Sequence, residues 1–225
     1  MSLLHQYVND RGLVDYQGIN ARSRQKLIDW LEKSAQVDPE SLDAKQQLAL
    51  WLNLYNALVI EQILQHYPLE SILPKVFGIP NWFAFWRFFA RPVYTIGGNR
   101  YSLNQIEHGL IRPQFQDPRV HFALVCAALG CPLLRNEAYQ GDRLELQLEE
   151  DAKRFINNPD KVYHDRRAGV LCCSKIFKWY ERDFLAVSDS VPAYIQTYLT
   201  DFSAASTLEI KYLDYDWRLN QRTSS

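Results

Sequence analysis

Between Glu107 and Cys131 the chain gathers a carboxylate, two imidazoles and two thiols among apolar neighbours: I-E-H-G-L-I-R, then D-P-R-V-H-F-A-L-V-C-A-A-L-G-C-P. A thiolate nucleophile needs a base or a positive neighbour to lower its pKa, and the base needs a third group to fix its tautomer. Cys126, His121 and Glu107 can fill those three roles, with Cys131 as the rival thiol and His108 as a second imidazole. The spacing constrains them. Five residues apart, His121 and Cys126 point to opposite faces of an ideal strand and lie about 140° apart on an ideal helix. They meet only if the backbone bends before Cys126 or if Cys126 sits past the element's end. The bland reading is a buried Cys126, a satisfied core His121, and Glu107 as a helix-end partner of Arg112. Arg112 and Arg119 can bind a substrate carboxylate or simply solvate a face.

Other chemistries find less support. Cys126 and Cys131 have four residues between them and Cys172 and Cys173 are adjacent, so neither pair has the spacing of common zinc sites and no metal is expected. There is no phosphate loop, GxGxxG, GxSxG or HExxH, and no cofactor is expected. The net charge of −1 supplies no field to attract nucleic acid.

The elements that must position these residues read as one α+β domain, 1–225, without repeat or linker, in which helices pack around a small, antiparallel sheet. Leu27, Trp30 and Leu31 mark an amphipathic helix within 23–34, and Asp38-Pro39-Glu40 a helix start. From Gln47 to His66 apolar residues cover most of the circumference, predicting a buried helix that Tyr67-Pro68 ends. Asn53 and Asn56 lie inside it and need fixed partners. Each either ties a loop to the helix or orients a catalytic group, Asn53 being the candidate for an oxyanion. Residues 93–102 read as a hairpin turning at Gly97-Gly98, followed by a helix from Leu103 to Arg112 that Ser102 can cap. Val120 to Cys126 favours a buried strand, with a helix starting at Pro118 as the competitor. A helix is expected over 144–155, strands over 169–173 and 208–213, and helices or helical turns over 176–184 and 191–199. Cys172 and Cys173 then lie in an apolar strand, at least one facing inward. Tyr215-Asp216-Trp217 should pack back on the domain.

The aromatic segment N-W-F-A-F-W-R-F-F-A (81–90) is too short to span a bilayer. It either packs on the chain's own core or dips into a membrane interface or a partner groove. No signal peptide and no transmembrane segment is read, and four cysteines without an export signal suggest reduced thiols in the cytoplasm.

Six blocks together resemble the domain of unknown function 547 family: L-A-L-W-L-N-L-Y-N-A-L (48–58), Y-S-L-N-Q-I-E-H (101–108), D-P-R-V-H-F-A-L-V-C-A-A-L-G-C-P (117–132), S-K-I-F-K-W-Y (174–180), D-F (183–184) and Y-D-W-R-L-N (215–220). The chain looks like the stand-alone version, without the coiled coil that precedes the domain in plant relatives. The resemblance brings no agreed activity. The family's Glu, His and Cys positions, here Glu107, His121, Cys126 and neighbouring Cys131, resemble sites of papain- or transglutaminase-like thiol enzymes and imply a distant likeness to that fold. The Glu, His, Cys order differs from the Cys-first order of papain-like enzymes, which geometry permits. Two classes of function follow. One is a cysteine-dependent hydrolase or acyl/amide transferase on a peptide-like or small thiol-containing substrate. The other is a binding or scaffold module that meets a protein partner through segment 81–90.

Overall fold

The N-terminal helices are short and feed a long central one. In the computed structural model, which describes residues 3–91, 94–199 and 208–222, α1 (Leu3–Tyr7), α2 (Tyr16–Arg22) and α3 (Arg24–Ser34) precede α4 (Ala44–His66). Asp38 caps only a single 3-10 turn, Pro39–Ser41. The start of α4 is set by a capping box: the Asp43 carboxylate accepts from the amides of Lys45 and Gln46, and the Gln46 side chain accepts from the Asp43 amide. Because α4 is apolar nearly all round, it is buried nearly all round and serves as the axis of the larger hydrophobic core.

A small hairpin, β1 (Lys75–Val76) with β2 (Ile79–Pro80), leads into α5 (Trp82–Ala90), and a second hairpin, β3 (Tyr94–Ile96) with β4 (Asn99–Tyr101), turns at Gly97-Gly98. Both glycines hold positive φ there, the conformation such a turn requires. Val93, expected to open this hairpin, and Pro92 lie outside the described residues. Next come a π-helical turn, Gln105–Ile111, a short α6 (Arg112–Phe115) and a 3-10 turn, Pro118–Phe122.

That 3-10 turn replaces the strand favoured over 120–126. Pro118 sits at the first helical position and the Asp117 side chain accepts from the Arg119 amide, so a helical start wins. The residues after it have no strand neighbour; Asn56 supplies their hydrogen bonds instead. Beyond them, α7 (Leu144–Ile156) packs over a sheet of β5 (Val162–Asp165), β6 (Val170–Ser174) and β7 (Glu209–Leu213), with α8 (Lys175–Trp179), α9 (Glu181–Leu185) and α10 (Val191–Gln196) completing a second, aromatic-rich core. The fold is α+β. The sheet pairs β5 with β6 antiparallel and β6 with β7 parallel, because β7 returns only after three helices and enters from the other end.

The C-terminal segment packs back as expected. Leu129 and Gly130 donate to the carbonyls of Arg218 and Asp216, and Asn220 donates to Ala127. Among the described residues, no helix is long and apolar enough to cross a membrane.

Candidate active site

A cavity of about 480 Å³ lies between the two cores, and its polar wall carries Glu107, His108, His121, Cys126 and Cys131 among the residues that the sequence singled out. Glu107 reaches it from the π-helical turn. Ser102 anchors that turn by reciprocal bonds with Gln105, and the widened turn re-aims one side chain, as such bulges often do at functional sites. The buried Glu107 carboxylate accepts from Tyr180 Oη at 2.6 Å and from Tyr55 Oη, on α4, at 3.1 Å. Burial and the neighbouring Glu107 charge push both phenols well above their ordinary pKa, so both act as donors at neutral pH.

His121 ends up inside because the 3-10 turn points it inward and Tyr180 stacks on its face, with ring centroids 3.8 Å apart. Its Nε2 lies 2.7 Å from Asp183 Oδ2, while Arg112 grips the same carboxylate twice, at 2.7 and 2.9 Å. The bonds from His121 and Arg112 hold Asp183 far below the usual carboxylate range. An ionised carboxylate only accepts, so Nε2 carries the proton and Nδ1 keeps the lone pair. Burial lowers the His121 pKa against the pull of Asp183 and Glu107. The imidazole is therefore neutral near pH 7, with the tautomer of a general base fixed by a carboxylate.

The sulfurs are held by the stretch after His121. Asn56 clamps it, donating to the Ala123 carbonyl at 2.9 Å and accepting from the Val125 amide at 3.0 Å. The backbone then bends: Ala127 adopts φ of 67°, a conformation uncommon outside glycine. Gly130 lets Tyr215 close over the loop, since a Cβ there would lie 2.8 Å from the Tyr215 ring. Cys126 and Cys131 are joined through their sulfurs, where reduced thiols were expected. The bend at 127 brings the two positions together. Tyr215 Oη lies 3.4 Å from Cys126 Sγ and donates to Cys131 Sγ at 3.2 Å; the Cys126 amide donates to Cys131 Sγ at 3.0 Å. Cys126 is half-buried and Cys131 buried. Cys172 and Cys173 are free and buried in β6, the Cys173 thiol pushed up to about 12 by burial.

Glu107, His108, His121, Cys126 and Cys131 thus share one cavity. Two candidates sit elsewhere. Asn53 exchanges two 2.9 Å bonds with the backbone of Tyr139 and lines a different cavity, so it ties a loop to α4. Arg119 pairs with Asp117 and Glu145 and also lies off this wall. The acceptor for the imidazole N–H is Asp183, where Glu107 was expected to orient the ring. Asp183 had surfaced only within the D-F block, 62 residues from His121, and Tyr180 and Tyr215 only within the K-W-Y and Y-D-W blocks. Their place in the blocks read as resembling the family was the one signal that the sequence offered. No hydrogen bond joins His121 to either sulfur; the groups share the cavity rather than a bond. Among the described residues, no group of three or more His, Cys, Asp or Glu side chains is arranged to hold a metal ion.

No curated protein and no solved structure matches the chain. A family model described as "Protein of unknown function, DUF547" matches residues 39–156, just over half of it, from the 3-10 turn before α4 through α7. That stretch contains Tyr55, Asn56, Glu107, His121, Cys126 and Cys131, whereas Tyr180, Asp183 and Tyr215 lie beyond it. The chain belongs to the DUF547 family.

Proposed function

We propose that this cavity is the active site of a cysteine-dependent hydrolase or acyl/amide transferase, acting in the cytoplasm on a peptide-like or small thiol-containing substrate. The observation that carries the reading is the Asp183–His121 pair, a neutral, tautomer-fixed base facing the same cavity as Cys126. The working form is the dithiol. A small thiol reductant supplies the two electrons and two protons that open the Cys126–Cys131 bond, as a reducing compartment would. Cys126, the more accessible sulfur, then gives its proton to His121 Nδ1 and attacks the acyl carbon. The Tyr215 hydroxyl, 3.4 Å from that sulfur, donates to the oxyanion. As the intermediate collapses, the C–N or C–O bond breaks and His121 returns the proton to the leaving group. Water or an acceptor amine then cleaves the thioester with His121 again as base. Glu107, held by two phenols, accepts a substrate N–H and favours the transient imidazolium.

The test is labelling with a fluorogenic acyl-electrophile probe, with and without prior reduction, followed by peptide mass spectrometry. Reduction-dependent acylation of Cys126 is expected. Acylation of Cys131 instead would move the nucleophile by one loop and keep the reaction class. Equal, slow modification of all four thiols would end the enzyme reading.

A further inference from the structure

The wall of the cavity opposite His121 continues onto the outer surface. Segment 74–80 is exposed throughout, and at the tip of its hairpin Phe77 is 101 % exposed, next to Ile79 at 70 %. The hairpin is fastened to α5 by the Asn81 amide donating to the Pro74 carbonyl, and Asn81 caps α5 through the Ala84 amide. α5 is apolar on both sides. Phe85 and Trp82 pack on Trp217 with centroids 5.0 and 5.8 Å apart, and the Phe88 carbonyl is tied to Gln62 of α4, whereas Phe83, Trp86 and the outer half of Trp82 are exposed. Solvent-facing aromatic residues on adjoining elements form a patch of a kind that soluble surfaces rarely leave uncovered.

Charge indicates what covers it. From residue 71 to 106 there is no Asp or Glu, while Lys75, Arg87, Arg91 and Arg100 contribute four positive charges; with a total of −1, the remainder of the chain holds −5. Lys75, Arg87 and Arg91 form no ion pair among the described residues. Apolar tips rich in Trp and Phe, flanked by cations, match the boundary between acyl chains and anionic headgroups. The nearby acids Glu70 and Asp216 share the groove at the base of the hairpin with Lys75, and Asp216 is paired with Arg218.

We propose that the 74–80 hairpin and the outward face of α5 dock onto an anionic lipid bilayer, lying in its headgroup region without crossing it. Phe77, Ile79 and Phe83 enter the acyl boundary, and Lys75, Arg87 and Arg91 meet the phosphates. Trp82 and Trp86 also line the cavity, so docking brings its rim to the membrane surface. This surface stands apart from the thiol chemistry and does not depend on it.

The experiment is co-sedimentation of the full chain with vesicles of phosphatidylcholine alone and of phosphatidylcholine mixed with phosphatidylserine, at low and high salt. Binding to the anionic vesicles, weakened by salt, is expected. Phe77→Ser with Phe83→Ser removes two exposed rings and should weaken partitioning by about 100-fold, roughly ten-fold for each ring, with an unchanged melting temperature. Lys75→Gln with Arg87→Gln should weaken it by about 20-fold or more and flatten the salt dependence, leaving the share that Arg91 carries. Absence of binding to either vesicle, or binding that both double variants leave intact, overturns the proposal. So does a salt-insensitive dimer in sedimentation that Phe77→Ser with Phe83→Ser dissolves, since the face would then belong to a second copy.

Discussion

The two walls of the cavity are built from opposite materials. On one side Glu107, Arg112, His121 and Asp183 come from four separate elements, and each is tied by at least one charge-assisted bond. On the other, α5 offers rings that touch one another and Trp217 on the inside and only solvent on the outside. A polar group inside a fold has to be satisfied and thereby becomes fixed, whereas a ring on the surface is held by nothing that depends on its outward half. Substitutions on the first wall should therefore cost folding and chemistry together. On the second they should cost only association.

The largest effect is expected at Asp183. Asp183→Ala leaves the His121 N–H and the Arg112 guanidinium without their shared acceptor. Stability should fall by about 2–3 kcal/mol, less than for a fully buried pair because Asp183 is partly exposed. Urea unfolding measures this, and an unchanged midpoint would remove Asp183 from the centre of the wall.

The two asparagines of α4 sharpen the contrast. Asn53→Leu and Asn56→Leu each strand a backbone donor and a backbone acceptor, so both should lose about 1–3 kcal/mol. Only Asn56 holds the stretch leading to Cys126, so only Asn56→Leu should also alter the reactivity of the reduced Cys126. Equal effects on reactivity would mean that the loop held by Asn53 also shapes the site.

pH offers a third cut. His121 has a lowered pKa in the folded protein, so the unfolded chain binds the extra proton first, and stability falls as pH drops below about 6.5. Asp183, also lowered, continues the loss below about pH 4, where unfolded carboxylates protonate. In His121→Ala the decline nearer neutrality should flatten while the more acidic one remains. The smallest effect belongs to the other wall: Phe83→Ser should change stability by no more than about 0.5 kcal/mol.

Much of this was legible in the chain itself. An all-round apolar helix over 47–66 could only be a buried axis, and two amides inside it had to bind something; both bind backbone. The paired glycines at 97 and 98 announced their turn. Glu107, His121, Cys126 and Cys131 were found together because they are close in sequence. Asp183, Tyr180 and Tyr215 were not, since the second core and the returning C-terminal strand deliver them, and no local period encodes such meetings. The stretch 120–126 misled for a different reason. Its apolar, β-branched content suits a strand, but Pro118 and the Asp117 cap start a helical turn and a side chain, Asn56, stands in for the missing strand neighbour.

The most direct test of the central claim is the rate of Cys126 alkylation against pH, after reduction, in the wild-type chain and in His121→Ala. If His121 serves as the base for Cys126, the wild-type rate near pH 7 should exceed that of the variant by about ten-fold or more, and the two should converge above about pH 9, where an ordinary thiol ionises unaided. Superimposable profiles across the whole range would contradict it: His121 and Cys126 would then share a cavity but no chemistry.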